Sequence, residues 1–280
     1  MPHSNFWSGM RLFGVLFVLL SGFASAQNGM QLHGMDAFSE AEQHKLKLWL
    51  QQSFDATNQV LGPFPFVTQV YLTARSASEP VPWAYTKRMK QQQVFFEVDA
   101  RFELSQFQQD WTAAHEFSHL ALPLLDREDM WFAEGFASYM QYQVMQQQQQ
   151  LADHPDVLYQ QKLQPLATLL QASQLPLATQ LKLWLQQRRY KAAYWGGALF
   201  FIEAEQLLKR QGTSLSELMQ RYQQQNRLSD QQLEQLVRSL DSLLKTAVFV
   251  PLLSKYQQQP SQHIWLHHPA YLAYSDITVP

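Results

Sequence analysis

His115-Glu116-Phe117-Ser118-His119, followed by Trp131-Phe132-Ala133-Glu134-Gly135-Phe136-Ala137, is the stretch that decides how this chain is read. Two histidines at i and i+4 share one face of a helix, one turn apart. That spacing lets both imidazoles reach a single ion about 2 Å from each nitrogen. Glu116 projects roughly 100° round the helix, beside such an ion, where a carboxylate can take a proton from an activated water. Apolar Trp111, Ala114, Phe117 and Leu120 are expected to anchor the rest of the helix in the core. Fourteen residues separate His119 from Glu134, including a turn through Pro123 and a charged stretch at 126–129. A second helix beginning near Met130 would return Glu134 to the metal. Two His and one Glu leave one coordination position open, which is the shell of a catalytic zinc. An HExxH arises by chance about once in a hundred chains of this His and Glu content. A chance copy has no reason to be followed by a third ligand.

Outward from this motif, Ser39 and Glu42 form a capping-box pattern that opens an amphipathic helix running to about Leu61. Gly62-Pro63 stops it. Residues 66–74 and 94–104 are rich in β-branched and aromatic residues and read as strands, with a loop around 80–82. Glu97, Asp99 and Glu103 give the second strand an exposed side and the character of an edge. From Ser105 the pattern is helical, with helices expected at 106–122, 130–148, 156–173, 176–188, 191–211, 214–225 and 230–246. Gly212 is placed to end one helix, and Ser214 and Ser229 to cap the next two. The expected architecture is a small α/β lobe carrying the zinc helix (27–127) and an all-helical lobe (128–280).

Composition narrows the chemistry further. Hydrophobic residues are 46% and charged residues 16% of the 280, so a packed core is expected. A formal charge of −2 with no basic stripe excludes a nucleic-acid footprint. The chain has no cysteine, so a zinc must be held by His, Asp or Glu. Glutamine runs at 91–93, 146–150, 223–225 and 257–259 read as solvated helix faces and ends. Arg11, the apolar run 12–20 and Ala24-Ser25-Ala26 read as a signal peptide over 1–26, with Met10 an alternative start. The run is too short to span a bilayer, so no membrane anchor is expected. Export, to a periplasm or beyond the cell, follows. Nothing in the sequence specifies an oligomer.

The pair HEFSH and WFAEGFASY resembles the gluzincin metallopeptidases, especially the aminopeptidase N and glycyl aminopeptidase families, which carry HExxH on one helix and a WxxEG third ligand on the next. The resemblance is close over 115–139 and looser to about 256. It implies an α+β, thermolysin-like zincin core, one Zn2+ held by His115, His119 and Glu134, and Glu116 as general base. Tyr194-Trp195-Gly196-Gly197 resembles those families' Tyr-x-x-Gly segment. By that resemblance Tyr194 donates its hydroxyl to the oxyanion, with Tyr190 as the alternate. Ser138, one turn after Glu134, is a candidate partner for a ligand.

The upstream Gly-x-Met-Glu-Asn strand of the larger aminopeptidases is missing, as is their large N-terminal β domain. Glu97 is the nearest carboxylate and reads as an exposed strand residue. Exopeptidase activity is therefore not implied, and strand 94–102 is placed to pair with an extended peptide substrate as an endopeptidase would require. Three rival readings stand beside a zinc peptidase: a zinc-binding protein without catalysis, an amidase acting on a cell-wall crosslink, and an interaction protein with a fortuitous motif. The other histidines, His33, His44, His154, His263, His267 and His268, have no ligand spacing to the motif, and the last two read as a surface feature.

Overall fold

The structure is a computed structural model and describes residues 29–88, 90–225 and 232–270. The expected signal peptide at 1–26 and the cap at Ser229 lie outside the described residues. In chain order the elements are β1 (Met30–His33), α1 (Glu40–Leu61), β2 (Thr68–Ala74), β3 (Trp83–Arg88) and β4 (Gln92–Val98). Then come α2 (Leu104–Gln109), α3 (Thr112–His119), α4 (Met130–Gln147), α5 (Pro155–Leu163), α6 (Ala167–Gln171), α7 (Leu177–Gln186) and α8 (Tyr190–Arg210). α9 (Leu215–Gln224), α10 (Leu233–Asp241), α11 (Phe249–Gln258) and α12 (Ser261–Leu266) complete the chain. The fold class is α+β. No helix among the described residues is long and apolar enough to cross a membrane.

Alternation of side chains across the pleat builds the sheet. Its strand order is β1-β2-β4-β3, with β1, β2 and β4 parallel and β3 antiparallel at the edge. Val70, Leu72, Val94, Phe96 and Val98 turn inward and are buried. The outward row His33, Tyr71, Phe95 and Tyr85 stacks ring on ring across all four strands. Against the inner face lie α1 and α3, joined by ring contacts of Trp49 with Phe96 and Phe107, and of Phe117 with Phe54 and Phe96. Phe117 is fully buried, so truncating it to alanine would cost about 3–5 kcal/mol.

Local signals placed most helices. The Ser39–Glu42 capping box opens α1, and Gly62, at φ 87°, ends it. A second capping box, Ser214 with Glu217, opens α9 after Gly212 at φ 75°. Several expectations are corrected. The helix expected at 106–122 is two, because the Asp110 carboxylate accepts the Thr112 N–H and restarts the chain as α3. The one expected at 156–173 breaks at Pro165, which cannot donate an amide hydrogen. The strand expected as an edge is internal: β4 lies between β2 and β3, and β3 takes the edge. Gln223 is buried rather than solvated, its amide donating to the Ala121 carbonyl at 2.6 Å.

The helical half is organised on α4. α8 crosses it backbone to backbone, because a Cβ on Gly135 would lie 2.4 Å from the Gly197 carbonyl carbon and one on Gly197 would lie 2.3 Å from the Trp131 oxygen. Only glycine permits that approach. It brings the first turns of α8 against the first turns of α4.

Candidate metal centre

α3 carries His115 and His119 on one face, and α4 returns Glu134 to them. The Nε2 atoms of His115 and His119 lie 3.2 and 3.4 Å from Glu134 Oε2. The two rings are 4.9 Å apart and nearly perpendicular. All three donor atoms lie within 4.8 Å of one another. Donors about 2.1 Å from a tetrahedral zinc sit roughly 3.4 Å apart, so the two His–Glu distances and the donor set fit zinc. The group is largely buried, with the His119 and Glu134 side chains 14% and 13% exposed.

His119 and Glu134 act on one another through their charges. Burial alone would raise the Glu134 carboxyl, but the charge of His119 and hydrogen bonds from both rings hold it well below the ordinary carboxylate range. Burial would lower His119; Glu134 and then Glu116 outweigh it and raise the ring above its ordinary value.

Glu116 sits beside the cluster, 8% exposed. The Thr86 hydroxyl of β3 lies 2.8 Å from its Oε2 and 3.0 Å from its backbone oxygen. Two residues on, Arg88 donates to the His119 carbonyl at 3.0 Å and to that of Leu122, capping the C-terminal end of α3. Tyr194, in the first turns of α8, faces the same cluster. Its ring stacks 6.2 Å from that of His115. Burial, then the charges of Glu134 and Glu116, hold that hydroxyl far above the ordinary tyrosine range, so it stays protonated. Tyr190 is 49% exposed and meets Tyr194 at 6.1 Å, further out.

Three residues are placed differently from expectation. Ser138 is buried, but the partner of the His115 ring is Gln141, whose Oε1 lies 3.0 Å from Nδ1. Trp111 does not anchor the core: it is 45% exposed, with its ring 5.3 Å from that of His115. Position 111 is four before 115 and so shares the metal-facing side of the helix, whereas Ala114, Phe117 and Leu120 are buried as expected. His268 is fully buried rather than superficial, its Nε2 donating to the Leu199 carbonyl. Glu97 lies on the outer sheet face in an ion pair with Arg75, on the side opposite Thr86.

No family model matches the chain, and no curated protein matches it. Among solved structures, a mutant of a two-domain M1 zinc metallopeptidase bound to L-tryptophan aligns with TM-score 0.49 and 16% identity, over 75% of this chain and 43% of the other. An M1 zinc metallopeptidase from Deinococcus radiodurans aligns with TM-score 0.49 and 15% identity, over 82% and 46%. A mutant M1 enzyme from the same organism, bound to a Tyr-Ser-Ala substrate, gives 0.46 and 16%, over 74% and 42%. The chain spans less than half of the length of these M1 zinc metallopeptidases.

Proposed function

We propose that this chain is an exported zinc peptidase that hydrolyses peptide bonds, with one Zn2+ on His115, His119 and Glu134. The observation that carries this reading is the convergence of the three donors, with both imidazole nitrogens 3.2 and 3.4 Å from the Glu134 oxygen and Glu116 and Tyr194 beside them. When bound, zinc would supply a Lewis acid that acidifies water and polarises the scissile carbonyl.

The remaining work falls to the protein's own groups. Glu116 takes the proton of the attacking water and passes it to the leaving amine. Tyr194, kept protonated by burial and two nearby carboxylates, donates a hydrogen bond to the developing oxyanion. His115 presents Nε2 to the metal because its Nδ1–H is given to Gln141. The peptide is read as an added strand on β3, the sheet's edge beside α3, rather than on the segment 94–102. Residues 1–26 support export through a cleaved signal, with a periplasm as the compartment.

The test is hydrolysis of a fluorogenic peptide library by the protein beginning at Gln27, with and without chelator, alongside metal analysis. Zinc-dependent cleavage that Glu116→Gln abolishes while keeping its zinc is expected. Full hydrolysis by that variant would remove Glu116 as the base. Cleavage of purified peptidoglycan with no cleavage of peptides would replace the peptidase reading with the amidase one.

A further inference from the structure

Thr86 is where the edge of the sheet touches the general base. Its hydroxyl lies 2.8 Å from Glu116 Oε2 and 3.0 Å from the Glu116 carbonyl oxygen. Arg88, on the same face of β3, grips the carbonyls of His119 and Leu122. The two side chains fasten β3 along the length of α3. A hydroxyl has one hydrogen, so Thr86 serves one acceptor at a time, and an ionised carboxylate is the stronger of the two. The glutamate side chain otherwise has rotamer freedom worth up to about 2 kcal/mol to lose. A base that swings by about 1 Å can cost on the order of 10²-fold in rate.

We propose that Thr86 is a positioning residue that holds Glu116 Oε2 and leaves Oε1 as the oxygen presented to the attacking water. This rests on the reading of the site as a peptidase centre. It also accounts for a small polar residue at an inward position of a strand whose one neighbour, β4, turns Val94, Phe96 and Val98 inward. The hydroxyl is placed by β3 and the carboxylate by α3, so the base is aligned by the same strand that would register the peptide.

Two variants and two kinds of measurement test the proposal. Thr86→Val keeps the shape and removes the hydroxyl; Thr86→Ser keeps the hydroxyl. In the zinc-loaded protein, Thr86→Val is expected to lower kcat by roughly 10²-fold, with KM and zinc content unchanged, and Thr86→Ser to return most of the loss. In the chelated protein, Thr86→Val is expected to lower the urea midpoint more when residue 116 is Glu than in the Glu116→Ala background. Equal shifts in the two backgrounds would mean that Thr86 serves only the backbone carbonyl, and would overturn the proposal. So would a wild-type kcat in Thr86→Val, or a loss of zinc from it, which would make the residue a support of the helix. If the wild type itself cleaves no peptide, the reading of the site falls, and the urea comparison alone decides whether Thr86 holds the carboxylate.

Discussion

Gln141 Oε1 lies 3.0 Å from Nδ1 of His115, seven residues beyond Glu134 and therefore two turns along the same face of α4. One helix thus supplies both a proposed ligand, Glu134, and the group that orients another, His115. An amide oxygen can only accept, so Oε1 takes the Nδ1 hydrogen of His115 and leaves Nε2 to face a metal. Gln141→Leu is expected to weaken zinc binding by about 10–100-fold, measured by competition with a chromophoric chelator. Gln141→Glu should bind at least as tightly as wild type, because a carboxylate also accepts the Nδ1 hydrogen. Unchanged affinity in the leucine variant would leave the contact without a role.

Tyr194 stacks on His115 yet offers no basic atom to the cluster. Its contribution should appear only as charge develops on the substrate. Tyr194→Phe is expected to lower kcat by roughly 10²–10³-fold with little change in KM or zinc content. Steady-state kinetics on one peptide with matched metal analysis checks this. A variant that raises KM and spares kcat would turn the tyrosine into a binding wall.

Much of the site was legible because it is written in short-range spacing. His115, Glu116 and His119 are fixed by one helical turn, and Glu134 by the aromatic WFAEGFA run that had to become the next helix. β3 was not legible. Its inward positions are Ala84, Thr86 and Arg88, which serve the polar face and carbonyl end of α3, while Trp83 and Tyr85 face solvent at 59% and 43% exposure. The usual hydrophobic signature of a strand is inverted by what it touches. Gln141 was hidden for a different reason: in a chain this rich in glutamine, one more at a helix face carries no signal until the fold sets it against an imidazole. Aromatic character points Trp111 to the core, whereas its i, i+4 relation to His115 puts it on the same side as that ring.

The crossing of α4 and α8 is what carries Tyr194 to Glu134. At Gly197 a Cβ would meet the Trp131 oxygen at 2.3 Å and the Gly135 Cα at 3.0 Å. Both are backbone atoms, so the helices must separate. Gly197→Ala is expected to cost about 1–3 kcal/mol, read from urea unfolding. Activity should fall beyond what the unfolded fraction explains, because Tyr194 moves with α8. Gly212→Ala is a control of another kind: nothing lies within 4 Å of its added Cβ, and only the φ of 75° opposes it.

His268 gives a pH dependence remote from the metal centre. The ring is fully buried, its Nε2–H donating to the Leu199 carbonyl and its Nδ1 accepting the Ala270 N–H at 3.0 Å. Both nitrogens are committed in the neutral form, and a second proton would cost the Ala270 bond. Burial lowers the pKa to about 4; the charge of Glu203 opposes this, and that of Lys255 reinforces it. The unfolded ring takes up its proton near pH 6.5. The unfolded state therefore binds more protons between about 6.5 and 4. Stability from this group is fully present above that window and is lost as pH falls through it, by up to about 3 kcal/mol. Urea midpoints at pH 7.0, 5.5 and 4.5 should fall more steeply for the wild type than for His268→Gln, whose amide cannot titrate. Parallel slopes would mean that other groups carry the acid sensitivity.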